Sequence, residues 1–194
     1  MNNRTLLLLF ALIVFNGALS AQTEEEEQLQ RRYIMLQVGT FAPSEGTGST
    51  LFGAGYVITQ GKYFYGAELQ YLAPKVPIKG ISDNDITWLN LSVFGGLSLI
   101  PGGKVNPYIG GGMNAGFVGV DDTKLNAHDY TLSGSARAIG VLVLGGIAIE
   151  ASPRFRLFAE ARYDMAGFFI TGAWEETVSL MGIHLLAGFQ VGLP

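Results

Sequence analysis

Residues 155–167, FRLFAEARYDMAG, alternate with a period of two, and the two faces this defines make opposite demands on their surroundings. Leu157, Ala159, Ala161, Tyr163 and Met165 take one parity; Arg156, Phe158, Glu160, Arg162 and Asp164 take the other. Successive Cβ atoms of a strand point to opposite faces, so the pattern is a strand signal. One face is continuously apolar, while the other carries dense charge of both signs. A soluble sandwich buries its apolar face. A membrane barrel turns that face to lipid and keeps the charge inside. Residues 141–151 read as the partner strand, joined through the turn Ser152-Pro153-Arg154-Phe155.

Composition narrows the choice. Hydrophobic residues reach 48% and charged ones only 14%, and 27 of 194 residues are Gly. That is too apolar and too Gly-rich for an ordinary soluble domain. Yet the longest uninterrupted apolar run, residues 138–149, contains Gly140, Gly145 and Gly146 and is far short of the roughly 20 residues a membrane helix needs. The other structure that satisfies every backbone polar group in lipid is a closed barrel.

Residues 1–21 read as a cleavable signal peptide: Arg4 supplies the positive start, residues 6–15 an apolar run, and Ala18-Leu19-Ser20-Ala21 a small-residue cleavage region. Export is therefore expected, with the outer membrane as destination. Residues 22–32 read as an acidic periplasmic tail containing Glu24, Glu25, Glu26 and Glu27. Residues 33–194 form the barrel domain. Removing residues 1–21 takes away Arg4 and no acid, so the formal charge goes from −4 to −5. That balance argues against nucleic-acid binding, which wants a basic face. With no Cys in the chain, neither a cysteine-linked lipid anchor nor a disulfide is available.

Eight strands are expected, near residues 33–42, 50–60, 63–73, 85–100, 107–120, 131–152, 155–168 and 177–193. Connections 61–62, 101–106 and 152–155 are short and rich in turn formers. Connections 43–49, 74–84, 121–130 and 169–176 are mostly longer and more polar. Short turns on the periplasmic side and longer loops outside are the usual asymmetry of such barrels. Parity then assigns faces. Met181, Ile183, Leu185, Ala187, Phe189, Val191 and Leu193 point to lipid, as do Tyr63, Tyr65, Ala67, Leu69 and Tyr71, and Leu89, Leu91, Val93, Leu97 and Leu99. The expected lumen charge network is Glu68, Arg137, Glu150, Arg156, Glu160, Arg162 and Asp164, with His184. Arg137 and Glu150 have opposite parity on one strand, so both face inward only through a bulge, expected at Gly145-Gly146. An eight-stranded barrel has an interior that side chains just fill, so acids and arginines there should pair.

The chain resembles the small outer-membrane β-barrel family, the OmpA/OmpX-type and porin-like eight-stranded proteins. The residues that carry the resemblance are Pro107-Tyr108-Ile109-Gly110-Gly111-Gly112, Phe158-Ala159-Glu160-Ala161-Arg162-Tyr163 and the closing Gly188-Phe189-Gln190-Val191-Gly192-Leu193. It implies an all-β fold, an eight-stranded antiparallel transmembrane barrel preceded by a signal peptide. It also implies outer-membrane lipid and the barrel-assembly machinery as partners, and a monomer. The family usually ends on an aromatic residue, whereas this chain ends Leu193-Pro194.

No catalytic, cofactor or metal site is expected. Some eight-stranded barrels deacylate lipid with a His, a Ser and an acid, but His128 and His184 fall in no His-x-Ser arrangement and are too separated to hold a metal. Gly110-Gly111-Gly112 is followed by no helical pattern, so it is not a phosphate loop. The expected function is a non-enzymatic barrel with a side-chain-filled polar lumen, acting in envelope structure or surface interaction. The alternative is a narrow pore or a conduit for small or hydrophobic solutes. A lipid-modifying enzyme ranks third.

Overall fold

A computed structural model describes residues 30–78, 81–120, 136–170 and 176–194. The expected signal peptide, most of the expected tail, and the connection carrying His128 lie outside the described residues. All regular structure among the described residues is antiparallel strand: β1 (Arg31–Pro43), β2 (Ser49–Gln60), β3 (Tyr63–Leu72), β4 (Lys75–Ile78), β5 (Ile81–Ser98), β6 (Val105–Val120), β7 (Ala136–Ser152), β8 (Phe155–Ile170), β9 (Glu176–Ser179) and β10 (Gly182–Gly192). Each long strand pairs with its neighbours in sequence, and β10 pairs with both β8 and β1. The sheet therefore closes on itself and leaves no long edge to seek a partner.

The ten elements make eight barrel strands. β4 extends β3 along β5 after a break at Ala73-Pro74, with Lys75 opposite Asp85 and Ile78 opposite Ile81. The expected loop over residues 74–84 is thus largely hairpin. Pro74 and Pro77 disguise it, because a proline gives no N–H to the ladder, and the register shifts between Val76 and Ile78. β9 and β10 likewise keep one register along β8, from Gly167 opposite Ser179 to Asp164 opposite Gly182. The N-terminal boundary moves as well. Arg31 and Arg32 pair with Thr59 and Ile58, so both belong to β1 rather than to a tail.

Stepping from partner to partner around the barrel measures its stagger. Tyr33 leads to Val57, Gly66, Phe94, Gly112, Leu142, Asp164 and Gly182, and returns to β1 at Pro43. The displacement is 43 − 33 = 10 residues along β1. Closed barrels with such a stagger tilt their strands by about 35–45°, which sets side chains far apart in sequence at one height in the lumen.

Tight connections crowd one end, called here the turn end. Gly61, at φ 56°, adopts the left-handed conformation that its two-residue hairpin demands. The outer face is apolar all round: Ile34, Leu36, Phe52, Leu91, Val93, Ile139, Val143 and Leu185 are all exposed. Tyr63 and Tyr71 bracket β3 on that same face.

Candidate functional site: the lumen

Followed inward from the turn end, β3 and β8 each run from apolar through polar to apolar side chains. On β8 these are Phe158, Glu160, Arg162, Asp164, Ala166; on β3 they are Phe64, Glu68, Gln70, Leu72. The lumen is consequently layered. Near the turn end Tyr33, Met35, Val57, Phe64, Phe94 and Phe158 pack together. At the other end lies a larger apolar cluster that includes Phe41, Leu51, Leu72, Ile86, Trp88 and Val118. The Arg162 and Asp164 groups lie between them.

The centre of that middle zone is Arg162. Its guanidinium makes two contacts to Glu68 across the lumen on β3, through Nη1 to Oε1 and, at 3.3 Å, through Nη2 to Oε2. It also donates to Glu160 Oε1 from Nη2 at 2.6 Å and from Nε at 3.1 Å. Gln37 Nε2 also donates to Glu68 Oε2 at 3.0 Å, and the one remaining carboxylate oxygen, Glu160 Oε2, accepts from the Tyr108 hydroxyl at 3.0 Å. The Arg162 and Glu68 side chains are 1% and 0% exposed, so the centre of this cluster is buried. Buried charges persist only where pairing and hydrogen bonds offset their desolvation, and here every oxygen of both acids has a donor. Glycine makes the room. A Cβ at Gly146 would lie 2.6 Å from Tyr108 Cζ and push the phenol away from Glu160.

A second group follows beyond Arg162. Asn114 Nδ2 donates to Asp164 Oδ2 at 3.2 Å. His184 Nε2 stands 3.1 Å from the same oxygen without the alignment of a hydrogen bond. The Phe41 ring covers the imidazole at 4.5 Å between centroids. A third group guards the turn end. Glu150 is held by Arg31 at 3.1 Å and by Arg156 at 3.3 Å, and the Arg156 guanidinium lies over the Tyr33 ring at 4.5 Å. Between this group and Arg162 is a cavity of about 80 Å³, reaching from Gly61 and Gly102 in the turns to Tyr108, Glu160 and Arg162.

Of the eight expected lumen charges, Glu68, Glu150, Arg156, Glu160, Arg162, Asp164 and His184 face inward, in these three groups rather than in one network. Arg137 does not. β7 pairs without interruption from Ala138 to Glu150, so no bulge occurs at Gly145-Gly146 and Arg137 is exposed on the outer face with Ile139 and Val141. The shift in β7 falls later, between Glu150 and Ser152. Sequence reasoning also passed over Tyr108, Asn114 and Arg31. Extending the period-two pattern to β6 would have turned Tyr108 and Asn114 inward. Arg31 carried no signal, because it read as tail.

No protein-family model matches the chain, and no curated protein matches its sequence. Solved structures do resemble it. Neisserial surface protein A superposes with a TM-score of 0.53 at 18% identity, over 84% of this chain and 95% of that one. Outer membrane protein W of E. coli gives 0.55 at 14% identity, over 86% and 100%. Ail, the attachment invasion locus protein of Yersinia pestis, gives 0.50 at 10% identity, over 84% and 97%. At these identities the likeness concerns the fold.

Proposed function

Starting from a fold that is that of the small eight-stranded outer-membrane β-barrels, we propose that this chain resides in the outer membrane as a closed, non-enzymatic barrel. It acts through envelope structure or through its surface rather than by conduction. The observation that carries this reading is the filled lumen, in which a saturated ionic cluster and an apolar cluster follow one another along the same axis. An ion passing the Arg162 cluster would meet a second barrier of Phe41, Leu51, Leu72 and Trp88, where no water can replace its hydration shell. The non-enzymatic part of the reading is supported by His184, which is fully buried behind Phe41, on the opposite side of the wall from lipid.

Solute uptake tests this directly. Proteoliposomes carrying the refolded protein, placed in an isotonic solution of a small neutral sugar, should swell no faster than empty liposomes. Swelling that rises with the amount of protein would overturn the closed-barrel reading in favour of a pore.

A further inference from the structure

The cavity near the turn end has more donors than acceptors on its wall. Glu150, next to it, is already satisfied by Arg31, whose Nη1 reaches Oε1 at 3.1 Å and Oε2 at 3.3 Å. Arg156 lines the cavity and adds a second guanidinium to that one carboxylate, through Nη2 alone at 3.3 Å. Two formal positive charges thus share one negative, and among the described residues Arg156 Nε and Nη1 have no acceptor. The Arg156 side chain is 13% exposed, so water reaches it poorly. Gln190, directly opposite Arg156 in the β8–β10 register, also lines the cavity, and its side-chain amide has no partner among the described residues. Ser98 donates to Asn106 Oδ1 at 2.6 Å, which leaves the Asn106 Nδ2 free to donate. Glu160, the acid on the lining, offers nothing in return, because Arg162 and Tyr108 already donate to its two oxygens.

We propose that this cavity binds a small aliphatic monocarboxylate, its carboxylate on Arg156 and its short chain against the apolar wall. A carboxylate accepts from a guanidinium at two points, and the Gln190 and Asn106 amides supply further donors for the same oxygens. Opposite them the wall is apolar: Met35, Val57, Phe64 and Ala148 line it and form part of the packed turn-end layer of the lumen. A phosphate or sulfate, hydrated on every side, would lose water against those residues without replacement. The volume of about 80 Å³ is the share of about three waters at roughly 30 Å³ each, which limits the guest to a few heavy atoms. Exposed Lys62, beside Gly61, and exposed Lys104, two residues from Gly102, do not line the cavity but favour the approach of an anion to its outer limit. Inward, the cavity ends at Glu160 and Arg162, so the guest is held rather than passed on.

Titration of the refolded, isotopically labelled protein with propionate, replacing chloride at constant ionic strength and neutral pH, tests this by NMR. The Gln190 side-chain amide and the Met35 methyl signal should shift together and saturate, whereas n-propylammonium and n-propanol should leave both unmoved. Arg156→Gln should weaken binding by at least about tenfold, the scale of a lost charge-assisted hydrogen bond. Ala148→Leu fills the cavity while leaving every donor in place, and it should weaken binding as much; it keeps the test decisive if loss of Arg156 prevents refolding. Shifts that never saturate, equal binding of n-propylammonium, or propionate binding undiminished in either variant would overturn the proposal. So would inorganic phosphate displacing propionate at equal concentration, because the site would then take any anion. The readout is binding alone, so its outcome is independent of whether the barrel conducts.

Discussion

Arg162 is the residue on which the middle of the lumen depends. One guanidinium serves two acids from different strands, and among the described residues neither Glu68 nor Glu160 has another cation within reach of its oxygens. Arg162→Ala should therefore leave buried unpaired charge and lower stability by about 3–5 kcal/mol, read from urea unfolding in lipid. Arg137→Ala removes a cation of the same type from the outer face and should change stability by no more than about 0.5 kcal/mol. Equal losses would mean that Arg137 is a lumen residue after all. Gly146→Val probes the cluster from its other side. With Tyr108 pressed against that glycine, the added branch should cost about 1–3 kcal/mol through overpacking and the lost bond to Glu160.

At the scale of the strand, alternation decides which substitutions hurt. Leu185 on β10 is 57% exposed on the outer face, opposite Ala161 of β8 and Thr40 of β1. An arginine there must sit in hydrocarbon, so Leu185→Arg should cost about 2–4 kcal/mol, and Gln190→Asn on the inward parity much less. Reversed costs would reverse the facing. Facing was legible in the sequence wherever apolar and polar residues alternate strictly, as in β3, β8 and β10. It failed at β7 because Gly140, Gly145 and Gly146 hold inward and outward places alike, which left nothing to fix the parity of Arg137 against Glu150. Prolines hid β4 for a different reason: a strand that makes fewer ladder bonds reads as a loop.

For the whole molecule the determining quantity is the stagger of ten residues, which no local pattern reveals. It places Glu68 of β3 against Arg162 of β8, 94 residues apart, and so turns a set of inward charges into a closed cluster. The same stagger stacks that cluster beneath Phe41, Leu72 and Trp88. Two barriers of different chemistry thus lie in series. Removing one should not open the barrel, and Arg162→Ala should lose stability without gaining steady conductance. The central claim is that the lumen is closed, and single-channel recording in planar bilayers tests it most directly. The refolded wild-type protein should insert and show no steady open level in molar salt. Stable, reproducible open levels that scale with salt concentration would contradict the account and make the barrel a pore.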